Sequence, residues 1–167
     1  MVQRIYKQQD LKLAFFFNSN RGLRSLNYLR KKLDVKCIFL AKKNLDQKIL
    51  KKINSKYLII NSLENQIIKK KLKNEKINLI ISAGFPYIFG KNFFLKKRID
   101  ILNLHGGPIP RYRGGSPLVW QKIEGKKNIG ISVIKINQTI DGGELLGVHN
   151  FKIKEKENIK KIKIKSE

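Results

Sequence analysis

Short, uniformly apolar runs alternate with longer segments whose apolar positions fall three or four residues apart. That alternation, in the N-terminal two-thirds of the chain, constrains the fold more tightly than any other feature. Residues 11–17 read Leu-Lys-Leu-Ala-Phe-Phe-Phe, too short and too apolar for anything but a strand buried on both faces. Residues 22–33 then place Leu23, Leu26, Leu29 and Leu33 at helical spacing. The same reading gives strands at 35–40, 57–60, 77–81 and 99–104. Between them it gives a lysine-rich helix over 45–53 and a helix over 63–73 capped by Ser62. A further segment over 85–95 separates the fourth strand from the fifth. Strand and helix in strict alternation need crossover connections, so the sheet is predicted to be mostly parallel with helices on both faces. Residues 130–136 alternate with period two and 144–153 less cleanly, adding two strands after the parallel core. The weak Ile/Lys alternation over 159–167 reads as a final element cut short. The expectation is one α/β domain over residues 1–167, without repeats or linkers.

Composition tempts a different conclusion. The formal net charge is +25, but 30 of the 37 basic residues are lysine and only 7 are arginine. Lysine, isoleucine and asparagine make up 70 of 167 residues, a bias that A+T-rich codons produce without selection on function. The lysines lie in scattered pairs along the chain rather than beside aromatics on one element. Solvated helix faces account for them, although such a field still attracts anionic partners. The single cysteine, Cys37, excludes an intrachain disulfide and fits a reducing compartment. No apolar run approaches the roughly 20 residues of a membrane span, and residues 1–10 carry no leader pattern. These features predict a soluble cytoplasmic domain without a membrane partner.

In open α/β sheets ligands sit beyond the carboxyl ends of the strands. The loop after the first strand, Asn18-Ser19-Asn20-Arg21-Gly22, lacks dinucleotide spacing and reads as an ordinary turn. The fifth strand is more informative. It ends in Asn103-Leu104-His105, and residues two apart in a strand share a face, so Asn103 and His105 project together. Residues 106–117 then hold four glycines, three prolines and two arginines, a stiff wall that a ligand can approach closely.

Four motifs in order resemble the folate-dependent formyltransferases. They are Asn103-Leu104-His105, Pro110-Arg111-Tyr112-Arg113-Gly114, Pro117-Leu118-Val119-Trp120 and Asp141-Gly142-Gly143. The specific match runs from 101 to 146. The resemblance implies a Rossmann-like open sheet and an enzyme that transfers a formyl group from 10-formyltetrahydrofolate to a primary amine. It implies that Asn103 and His105 stabilise the oxyanion of the tetrahedral intermediate. Asp141 would relay protons and set the protonation of His105. It places the pterin ring of the donor against Pro86, Tyr87 and Ile88 and the turn Asn137, Gln138, Thr139 and Ile140. Phe85 and Phe89 are divided between that pocket and the core. Arg111 and Arg113, with Gly114 and Ser116, would hold the acceptor, the arginines gripping its phosphate. Trp120 is expected to pack its helix onto the sheet, and His149 to be structural. No metal is expected, since no Cys/His cluster exists to hold one.

Three branches of that family differ in acceptor. The glycinamide ribonucleotide branch has a Gly-rich phosphate loop that 18–22 does not match. The initiator methionyl-tRNA branch carries an insertion after the second strand and a separate C-terminal β-barrel, neither visible here. The remaining branch formylates the amine of a nucleotide-linked amino sugar, and that acceptor is the expectation. Two alternatives stay open: methionyl-tRNA as acceptor, and a basic RNA-binding module without catalysis. A homodimer is compatible with all three.

Overall fold

The computed structural model describes residues 7, 10–90 and 99–166. Its seven strands form one sheet in the order β3-β2-β1-β4-β5-β6-β7. They are β1 (Lys12–Phe17), β2 (Asp34–Ala41), β3 (Leu58–Ile60), β4 (Leu79–Ala83), β5 (Asp100–His105), β6 (Asn128–Lys135) and β7 (Glu144–Lys152). β1 to β5 pair in parallel, whereas β6 and β7 run antiparallel to their neighbours. The sequence predicted this open, mostly parallel sheet with two added strands.

Central position explains the apolar run in β1. Phe15, Phe16 and Phe17 are all fully buried, pointing alternately to the two faces of the sheet. Each contributes about 1.5–3 kcal/mol of transfer free energy. Phe15 and Phe17 pack with Leu23 and Leu26 of α1 (Asn20–Leu29) and Ile49 of α2 (Gln47–Leu50). Phe16 joins the opposite layer with Phe39 and with Ile68 and Leu72 of α3 (Gln66–Asn74), stacking on Phe39 at 4.5 Å between centroids. Helices therefore cover both faces.

Local chemistry moved several helix boundaries. The helix predicted over 45–53 keeps only four residues, because Lys52 and Ile53 donate to carbonyls three positions back and tighten into turns. α3 starts later than predicted. Asn65, not Ser62, caps it by accepting the Ile67 N–H, while Ser62 accepts from Glu64 two residues on. Residues 159–165 are a helix, α5 (Ile159–Lys165), rather than part of an alternating element. Asn158 caps it, and Ile162 is buried against Leu118 of α4 (Pro117–Ile123) and Ile129 of β6. Of the segment predicted at 85–95, residues 91–95 lie outside the described residues. Among the described residues no helix is long and apolar enough to cross a membrane.

Cys37 is buried in β2, and burial pushes its thiol up to about 11 from 9.0. Burial favours the neutral thiol in the folded state. Its contribution to stability is therefore complete below pH 9.0 and is lost as pH rises toward 11. At pH 8, Ellman's reagent is expected to label native Cys37 far more slowly than the thiol of the denatured chain. Equal rates would contradict this burial.

Candidate active site

The cross-strand row Phe16, Ser82, Asn103 sets which face of the sheet carries the site. Phe16 pairs with Ser82 and Ser82 with Asn103, so all three point to the side covered by α3. Beyond that row the small residues Ser82 and Gly84 leave room. A cavity of about 550 Å³ opens there at the carboxyl ends of β4 and β5. Its lining comes from Phe85, Tyr87, Ile88 and Phe89 on one side and from the β6–β7 connection, 136–141, on the other.

That connection brings Asp141 to the site. β6 ends at Lys135, opposite Leu102 near the start of β5, so the turn begins far from His105. The loop then folds back over the sheet. Asp141 adopts φ 46°, a left-handed conformation that aspartate tolerates better than most residues. Its Oδ2 accepts the backbone N–H of Gly114 at 3.0 Å and lies 3.4 Å from His105 Nδ1. Its Oδ1 receives Asn103 Nδ2 at 3.4 Å. Asn103, His105 and Asp141 thus converge on one wall of the cavity.

The His105 ring is oriented by its other nitrogen. Nε2 lies 2.5 Å from the Tyr112 carbonyl, which can only accept, so Nε2 carries a proton. Nδ1 is therefore the ring nitrogen that faces the cavity, beside Asp141 Oδ2.

Of the residues predicted to hold a donor, Tyr87, Ile88, Asn137, Gln138, Thr139 and Ile140 line the cavity, whereas Pro86 does not. Ile88 and Ile140 line it while remaining 71% and 58% exposed, two apolar side chains at its mouth. Phe85 and Phe89 serve both purposes, lining the cavity and packing edge-on against Phe16. Gly114 and Ser116 are wall residues as well.

The two loop arginines do not take up the predicted position. Arg111 forms an ion pair with Glu124 at 3.0 Å, and neither Arg111 nor the exposed Arg113 lines the cavity. Glu124 also accepts the Tyr112 hydroxyl at 2.6 Å, which holds its carboxyl below the ordinary range, while burial, together with that bond, holds the phenol above its own. Trp120 departs from expectation too. The inward face of α4 carries Leu118 and Gln121, leaving Trp120 56% exposed. His149 is exposed on β7 and stacks on Phe151.

Sequence reading missed the loop after β1. Asn18 is an interstrand tie, its amide bonded to the Ala41 and Lys43 carbonyls and to the Ala41 N–H. Ser19 caps α1 by accepting from Gly22. A Cβ on Gly22 would lie 2.4 Å from Phe17 Cβ, so glycine lets the helix start directly over β1. This geometry delivers Arg21 to the cavity wall, behind Gly106. The only available signal was position, since the residue follows a parallel strand at its carboxyl end.

Among known proteins, residues 3–166 match the family model described as Formyl transferase. The bifunctional polymyxin resistance protein ArnA of Wigglesworthia glossinidia brevipalpis is 33% identical over 91 residues, covering 54% of this chain and 14% of that protein. Methionyl-tRNA formyltransferase of Hydrogenobaculum sp. (strain Y04AAS1) is 31% identical over 95 residues, 57% of this chain and 32% of that one. The matches thus span less than a third of either relative. In structure, phosphoribosylglycinamide formyltransferase from Campylobacter jejuni aligns with a TM-score of 0.75 at 24% identity, over 93% of this chain and 89% of that chain. At that identity the likeness is one of fold.

Proposed function

The chain belongs to the formyl transferase family, and on that premise we propose that it moves a formyl group from 10-formyltetrahydrofolate to the amine of a nucleotide-linked amino sugar. The observation that carries the reading is the meeting of Asn103, His105 and Asp141 on one cavity wall. The donor, when bound, supplies the formyl carbon. Tyr87, Ile88 and Ile140 give its flat ring an apolar mouth to cover, and the turn 137–140 offers polar edges.

The remaining chemistry belongs to this chain's side chains. As the amine adds, the formyl oxygen takes up charge. Asn103 Nδ2 and, when the ring is protonated, His105 Nδ1–H are the donors that meet it from fixed positions. Asp141 stands beside the imidazole through Oδ2, placed to take the proton that the amine loses and return it to the departing folate nitrogen as the formyl C–N bond to that nitrogen breaks. Ser116 and Gly114 form the acceptor side of the wall.

A nucleotide-linked acceptor is anionic, and Arg21 stands on the cavity wall where Arg111 and Arg113 do not. The phosphate contact is therefore assigned to Arg21. β2 also passes through residues 42–46 directly into α2, which leaves this side of the site short and suits a small acceptor. Arg21→Ala is expected to raise KM for the acceptor about 10- to 100-fold, the loss of one charge-assisted bond. KM for the donor should not move. Unchanged acceptor KM would remove Arg21 from the site.

The reading itself is tested by offering the purified protein 10-formyltetrahydrofolate with three acceptors in parallel. These are a nucleotide-linked amino sugar, glycinamide ribonucleotide and methionyl initiator tRNA. Tetrahydrofolate release with formylated sugar as product supports the proposal. Preferential formylation of the tRNA transfers the protein to the competing translation reading. No transfer to any amine, joined to tight RNA binding, favours the non-catalytic module.

A further inference from the structure

We propose that Gln121, on the inward face of α4, is a positioning residue that fixes the orientation of His105 through the peptide that follows it. The inference rests on the role given to His105 above. Gln121 is only 1% exposed and is not part of the cavity wall, so it acts through other groups.

Its amide is fully engaged. Nε2 donates to the carbonyls of Gly106 at 3.2 Å, Gly130 at 3.1 Å and Pro117 at 3.3 Å. Oε1 accepts the Gly130 N–H at 2.8 Å. One side chain thus joins the residue after His105 to the middle of β6 and to the first turn of α4. Ser132 continues the fastening by donating to the Gly107 carbonyl at 2.8 Å and accepting the Ile109 N–H at 3.2 Å. Two successive carbonyls beyond His105 therefore find their partners on β6 or α4.

Packing makes these ties necessary. A Cβ on Gly107 would lie 2.6 Å from Tyr112 Cβ and 2.7 Å from Pro117 Cβ. A peptide lying this deep needs protein partners for its polar groups. At its far end, the loop is tied by the ring itself, through Nε2–H to the Tyr112 carbonyl. The imidazole is a strut of the loop, so its tilt follows Gly106. Releasing Gly106 would turn Nδ1 away from Asp141 and from the reacting oxygen. A misplacement near 1 Å in such a site costs about 100-fold in rate.

The test uses two variants and two readouts. Gln121→Met keeps the length and removes every polar bond. Gln121→Glu keeps the acceptor for Gly130 and loses the donor to Gly106. The chain has two histidines, so ring-nitrogen NMR of the labelled protein gives two sets of signals, with exposed His149 as internal reference. In both variants the His105 ring-nitrogen signals are expected to move from their wild-type positions while those of His149 stay. Turnover is expected to fall about 10- to 100-fold at unchanged donor KM. Unchanged His105 signals in either folded variant overturn the proposal, as does a fall in turnover that matches a loss of folded protein. If Gln121→Met does not fold, Gln121→Glu decides. If the wild-type protein transfers no formyl group, the functional reading fails, and the histidine spectra still decide whether Gln121 orients the ring.

Discussion

Asn103→Ala is expected to lower kcat for formyl transfer about 10²–10³-fold, the usual effect of removing one oxyanion donor. Donor and acceptor KM should change little. Asn103 lies in β5 between Ser82 and Ile134, and alanine fits the same strand geometry, so the sheet should hold. The amide is placed for the task. Its contact with Asp141 Oδ1 is long at 3.4 Å, which leaves an N–H available to an oxygen that becomes anionic. Steady-state kinetics beside thermal melting separates the outcomes. A loss confined to KM would mean that Asn103 binds substrate and does not stabilise the transition state.

Gly143→Ala is expected to abolish most activity, by about 10²-fold or more, while the parallel sheet stays folded. A Cβ at Gly143 would sit 1.7 Å from the Lys135 carbonyl oxygen and 3.3 Å from the Asn137 nitrogen. Both are backbone atoms that cannot swing aside. The turn would have to open, carrying Asp141 away from the Gly114 N–H and from His105 Nδ1. Gly142→Ala is the informative control. Its Cβ would meet Thr139 Cγ2 at 2.7 Å, which can rotate away, and Thr139 Cβ at 2.9 Å, which needs only a small backbone shift, so a smaller loss is expected. Circular dichroism should show the sheet intact in both variants. Wild-type turnover in Gly143→Ala would show that the position of Asp141 is not under tight control, and the proton role assigned to it would fall.

The sequence alone determined the parallel core, the covering of both sheet faces and the pairing of Asn103 with His105. Each follows from a local period. Uniform burial marks β1, helical spacing marks α1 and α3, and a two-residue step sends Asn103 and His105 to one side. The motifs also located the turn at Asp141 and the wall at Gly114 and Ser116. Tertiary structure decided what periodicity does not encode, namely which distant group each side chain meets. Arg111 was expected at the ligand, but the packing of α4 brings Glu124 within 3.0 Å of it and turns the guanidinium outward. Trp120 was expected on the sheet, but α4 spends its inward positions on Leu118 and Gln121. Arg21 sat in what read as an ordinary turn, and only the close approach of Gly22 to β1 swings it to the cavity. The contact between Asp141 and His105 joins residues far apart in sequence, made by a hairpin connection folding back across the sheet. A period fixes the face on which a residue stands; its partner is chosen where separate elements pack together, and that choice exists only in three dimensions.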